Sequence, residues 1–236
     1  MKQLSRAFSY FSKFELALWV ASVVAITAAF CLFDGSQYLT LAASLIGVTS
    51  LIFNAKGNPF GQFLMVVFSL FYGYISFTYD YFGEMMTYLG MTMPMAAFAL
   101  VSWLRHPYRG KKSEVEVNRL EKKEIVLMSL LTLAVTVAFY FILRHFHTAN
   151  LLPSTLSVTT SFAAVYLTFR RSPYFAVLYA MNDVVLIVLW ILASRENTAY
   201  VSVTVCFAAF LLNDAYGFYN WKRMERQQKA APPDKS

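Results

Sequence analysis

The sequence predicts an all-α polytopic membrane protein with eight transmembrane helices, and three observations carry that prediction. Of its 236 residues 58% are hydrophobic and only 14% charged, with a mean hydropathy of +0.50; a soluble domain carries about 25% charged residues. Apolar stretches recur along the whole length, and about 20 residues suffice to cross a bilayer. Once eight spans are drawn, eighteen of the twenty Lys and Arg residues fall on one side; Arg144 and Arg195 are the exceptions. The positive-inside rule places the richer side, with both termini, in the cytoplasm of a cell (inner) membrane.

The first span covers 15–33. Bulky Phe30, Cys31, Leu32 and Phe33 give no small-residue cleavage pattern, so this helix is expected to be retained. Spans 38–54 and 60–79 follow, the second opening behind Pro59, where a missing N–H costs little. Span 84–104 holds Pro94 in its interior, which predicts a kink, as a hinge or to shape a cavity. The charged stretch "RHPYRGKKSEVEVNRLEKKE" is expected to be a cytoplasmic linker over 105–123 or an amphipathic surface helix. Spans 124–144, 151–169, 173–193 and 199–221 complete the set, before a cytoplasmic tail at 222–236.

The linker divides the spans four and four. Sliding one half by 114 residues lays "NPFGQFL" (from Asn58) on "SPYFAVL" (from Ser172), Pro59 on Pro173 and Lys56 on Arg170. Repeats four spans apart share one orientation, which makes them parallel repeats about an axis along the membrane normal.

The net charge of +7 is explained by lipid headgroups and needs no nucleic acid. No GxxxxGK[ST] loop, HExxH or GxSxG motif occurs. The three histidines lie outside the spans, and Cys31 and Cys206 make no disulfide or metal framework. The expectation is a protein that is not an enzyme and uses neither metal nor cofactor.

Polar groups inside the spans carry the chemistry. Asp183 lies ten residues into its span, about 15 Å deep and so near the midplane. A carboxylate there costs about 2.5–3.5 kcal/mol on insertion scales and must face a partner or water. Phe175, Tyr179 and Asn182 form a stripe beside it. Asn213, Tyr216, Gly217 and Asn220 form another on the last span, with Asp214 pointing aside toward the cytoplasmic edge. Ser69, Tyr72, Gly73 and Ser76 mark the third span; Glu84, Thr87, Tyr88 and Met91 mark the fourth. Four such faces, two per half, predict a wet cavity between the repeats. The candidate substrate-binding residues are Asn182, Asp183, Tyr179, Phe175, Thr87, Tyr88, Glu84, Asn213, Tyr216 and Asn220. Pro94, Gly73, Gly217 and Tyr72 are the candidate hinges or gates.

The segments "NAKGNPFGQFL", "YFGEMMTYLGMTMPM", "SPYFAVLYAMND" and "NDAYGFYNW" together resemble the PnuC family of vitamin transporters, which import nicotinamide riboside. The resemblance covers essentially the whole chain. It implies three-helix repeats at 38–104 and 151–221, joined by a connecting helix at 124–144 in a SWEET-like 3+1+3 order. An extra N-terminal helix at 15–33 is added to these. It further implies a homotrimer in membrane lipid and facilitated diffusion, with a cytoplasmic kinase trapping the substrate for pyridine nucleotide biosynthesis. Asn182 matches the family's asparagine on the seventh span, whereas Phe175 and Leu178 stand where the family has two tryptophans. The family's glutamine early in the fourth span has no counterpart; Thr87 or Tyr88 lies near its place. Nicotinamide riboside carries a fixed pyridinium charge, which Asp183 would offset while Asn182 reads the carboxamide. Thiamine, also a flat cation, is the alternative substrate; a membrane sensor or scaffold is the alternative outside transport.

Overall fold

A computed structural model describes residues 10–78, 82–148 and 150–231. It contains eight helices long and apolar enough to cross a membrane: α1 Lys13–Phe33, α2 Tyr38–Ala55, α3 Pro59–Thr78, α4 Phe82–Arg105, α5 Lys122–His145, α6 Leu151–Phe169, α7 Phe175–Ser194 and α8 Val201–Ala230. The chain is a multi-pass membrane protein.

Six of these helices close a ring. Within the first half α3 packs on both α2 and α4; within the second, α7 packs on both α6 and α8. The halves meet twice, at α4 against α6 and at α8 against α2. Those two contacts are equivalent under a two-fold exchange of the halves, as parallel repeats require. Outside the ring, α5 lies on α6, and α1 lies on α2 and α8. Leu143 is the buried residue of α5, while Leu130, Leu133, Val137 and Phe141 are exposed, as suits a helix facing lipid.

Hydrogen bonds at the basic end repeat the exchange atom by atom. The Trp103 indole at the end of α4 donates to the Thr168 carbonyl at 2.8 Å, and the Ser102 hydroxyl donates to the Phe169 carbonyl at 2.9 Å. At the end of α8, Trp221 donates to the Asn54 carbonyl at 2.7 Å and Asn220 to the Ala55 carbonyl at 2.8 Å. The last carbonyls of a helix have no partner within it, so α4 caps α6 and α8 caps α2. The two indoles then touch, with centroids 5.3 Å apart. Trp221→Phe keeps the ring and removes the donor; the Asn54 carbonyl keeps the Gly57 N–H at 2.9 Å, as the Thr168 carbonyl keeps that of Arg171, so the cost is one hydrogen bond, about 0.5–1.5 kcal/mol. Thermal unfolding in detergent should show that loss, and an equal one for Trp103→Phe.

The first helix is tied to this frame by a buried charge. Ser12 and Glu15 form a capping box that starts α1. Glu15, 2% exposed, also pairs with Lys56 at 3.1 Å and accepts from the Tyr216 hydroxyl at 2.8 Å.

Three expectations are revised here. The 105–123 linker forms a short hairpin in place of the surface helix: β1 Pro107–Tyr108 and β2 Lys111–Val115 pair antiparallel across Arg109 and Gly110. Its Lys and Arg residues face solvent, while Val115 is fully buried and its N–H bonds the Gly57 carbonyl at 2.9 Å. The tail at 222–236 begins as a continuation of α8 to Ala230, where Gln228 bonds the Val115 carbonyl at 3.0 Å; residues 232–236 lie outside the described residues. The break in α4 is centred on a π turn, Tyr88–Thr92, with the Met93 N–H reaching back to the Tyr88 carbonyl. Pro94 opens the segment after it, so the ring that would clash with the preceding turn sits where the ladder is already widened.

Candidate functional site

Asp183 of α7 points into the ring and is 3% exposed. Its neighbour is a second carboxyl group, Asp214 of α8, 5% exposed and within hydrogen-bonding range of it. Tyr179 stands beside both, and Tyr88 and Cys206 lie near Asp183. Among the described residues no basic side chain acts on either carboxyl. Asp183 Oδ2 is buried with no hydrogen-bond partner among the described residues. Two carboxyl groups in contact, away from water and without a cation, cannot both be ionised.

Asn182, 6% exposed, is fixed beside them. Its Oδ1 accepts from the Ser157 and Thr160 hydroxyls of α6, each at 2.9 Å. With the oxygen occupied, the amide N–H groups are the ones left for a ligand.

Access comes from the end opposite the basic one. Two cavities, of about 210 and 290 Å³, open there between the loops after α1 and α5. Both are lined by Glu84 and Trp190, as is a narrower inner cavity that reaches Thr87, Tyr88 and Ser157. Ser157 is the residue bonded to Asn182, the chain neighbour of Asp183. Aromatic faces line the way: Tyr72 and Tyr88 lie 4.5 Å apart between centroids, and Trp190 and Tyr200 5.3 Å apart. Trp190 Nε1 is buried without an acceptor among the described residues. Toward the basic end the path is shut by Phe175 packed on Trp103 and Trp221, all at most 2% exposed.

This arrangement can be set beside known proteins. Residues 37–223 match the profile of the nicotinamide mononucleotide transporter family. The chain belongs to that family. Two similar relatives are the nicotinamide riboside transporters PnuC of Neisseria mucosa and Haemophilus influenzae. The first is 23% identical over 93% of this chain and 85% of the relative; the second is 22% identical over 81% and 82%. A crystal structure of the vitamin B3 transporter PnuC superposes with a TM-score of 0.79, covering 92% of this chain and 94% of that one at 21% identity. The eight-helix fold is thus that of the PnuC transporters, and the family is one of transporters rather than enzymes.

In this transporter the sequence-predicted residues divide into two groups. Glu84, Thr87, Tyr88 and Tyr72 line the inner cavity, and Asn182, Asp183 and Tyr179 lie behind it, with Tyr88 near both Asp183 and Tyr179. The stripe on α8 does not join them, because α8 turns that face to α1 and α2. Asn213 donates to Ser22 Oγ at 2.9 Å and Tyr216 to Glu15, while Asn220 caps α2. Phe175 belongs to the plug rather than to the cavity wall. Gly73 is a packing contact, since a Cβ there would lie 2.5 Å from Leu89. Asp214, set aside on helical-wheel grounds, faces the interior instead: a stripe at i, i+3, i+4 and i+7 identifies one face of α8, and α8 has neighbours on two.

Trp190, Ser157 and Thr160 were not singled out. Ser157 and Thr160 are three apart on one face of α6, a signal available in the sequence; Trp190 sits in an apolar run that offers none.

Proposed function

We propose that this transporter imports nicotinamide riboside by facilitated diffusion, through a site between its two repeats that holds the pyridinium against Asp183 and Asp214. The buried carboxyl pair with no basic partner carries the reading, because it asks for a cation from outside the chain. The fixed charge of nicotinamide riboside meets that need. The relatives named for nicotinamide riboside support the same substrate. Asn182, held by α6, presents N–H groups to the carboxamide oxygen. Tyr88 and Trp190 supply flat faces for the ring; Trp190 would stand in for the tryptophans missing at positions 175 and 178.

The basic end is read as cytoplasmic, so the cavities face outward and the Phe175–Trp103–Trp221 plug is the inner gate. Rocking of one repeat against the other opens that gate, with the π turn in α4 as the flexible joint. The homotrimer and the trapping kinase belong to the same proposal.

A competition panel against bound labelled nicotinamide riboside tests the substrate. Unlabelled nicotinamide riboside should displace the label best, ahead of thiamine, with neutral riboflavin weakest; thiamine displacing it best would make thiamine the substrate. Thr160→Val removes one of the two donors that orient Asn182. A hydrogen bond of about 1 kcal/mol corresponds to roughly a five-fold loss of affinity for nicotinamide riboside, read by titration calorimetry, with thiamine affinity less affected.

A further inference from the structure

We propose that Asp183 and Asp214 together hold one exchangeable proton in the empty protein, and that a cationic ligand displaces it. This rests on the reading of the site as one for a cation. The two carboxyl groups touch inside the ring, each at most 5% exposed, and Asp183 Oδ2 has no donor among the described residues. Every titratable group acting on them is acidic or neutral: Tyr179 on α7, Cys206 on α8, and Tyr88 on α4 with Glu84 behind it. Tyr72 of α3 packs on Tyr88. With no counter-charge supplied, two adjacent carboxylates would repel in a low dielectric, and a shared proton is the smallest species that removes the repulsion. A metal ion fits less well. No group of three or more His, Cys, Asp or Glu side chains that could hold one occurs among the described residues, and hard cations take six or more oxygens.

The charge balance is simple. The empty pair has one ionised and one protonated carboxyl, a net charge of −1. When a pyridinium enters, the O–H bond breaks, the proton leaves to solvent, and two carboxylates face one cation, again −1. When the ligand leaves, the pair takes a proton back.

Two measurements test this. In the first, infrared difference spectra of ligand-free protein, wild type minus the Asp183→Asn/Asp214→Asn double variant, should show a protonated carboxylic acid carbonyl band at neutral pH. Absence of the band overturns the proposal, whatever the substrate. In the second, calorimetry of nicotinamide riboside in buffers of different ionisation enthalpy should give about one proton released per ligand bound, and loss of the band on saturation. Binding with no proton released also overturns the proposal. A band present in a protein that binds no nicotinamide riboside would uphold the proton while sinking the assigned vitamin. Thiamine would then serve as the displacing cation, with the same proton count expected and its absence overturning the exchange.

Discussion

Asp183→Asn should weaken binding of nicotinamide riboside by about 30- to 100-fold while leaving the protein folded. The substitution keeps the shape and removes a charge whose partner is desolvated in the bound state. Truncating one side of a buried charge pair costs about 2–5 kcal/mol; Asp214 remains to offset part of the loss, which sets the expectation at the low end. Folding should be unharmed, since an amide N–H can take the place of the shared proton between the two side chains and Asp183 Oδ2 has no donor to lose among the described residues. Calorimetry for affinity and a melting curve for stability check both halves. Wild-type affinity in the variant would remove the carboxylate from the account.

Gly61→Ala should be among the most damaging single substitutions for folding, although Gly61 lies far from the carboxyl pair. A Cβ at Gly61 would stand 2.2 Å from Asn54 Oδ1 and 2.7 Å from the Asn54 backbone nitrogen. The first contact could be relieved by a rotamer change, at the loss of the bond that Gln62 donates to Asn54 Oδ1. The second involves main chain, so α2 and α3 must separate. That movement pulls on the Asn54 carbonyl held by Trp221 and on the Ala55 carbonyl held by Asn220. Overpacking of this kind costs about 1–3 kcal/mol and more when backbone must shift, and the broken closure adds to it. Gly217→Ala is the matched control. The nearest atoms to a Cβ there are 3.8 Å away, ordinary contact distance, so its yield and melting temperature should stay within experimental scatter of wild type.

What could be read from the sequence follows physical scale. Spans are legible because hydrocarbon demands about 20 apolar residues in a row, and all eight appear where hydropathy puts them. The repeat is legible through Pro59 and Pro173, which open equivalent turns. Asp183 is legible because a midplane carboxylate is costly and therefore conspicuous. Helix faces are harder. Asp214 and Asn213 are adjacent in sequence yet serve different partners, Asp183 and Ser22, because α8 is wedged between α7 on one side and α1 and α2 on the other. A polar stripe cannot say which neighbour it meets. The hairpin at Pro107–Val115 was hidden for another reason: its exposed residues are charged, and the buried anchor is a single valine, Val115.

The central claim is that this chain alone carries a flat vitamin cation across a membrane by way of the Asp183–Asp214 pair. Sealed vesicles containing the purified protein and no other should take up labelled nicotinamide riboside saturably, until inside and outside levels match. Vesicles with the Asp183→Asn/Asp214→Asn double variant, inserted and folded equally well, should take up little more than protein-free ones. Uptake by the double variant at the wild-type rate, or wild-type vesicles no faster than bare lipid, would contradict the account.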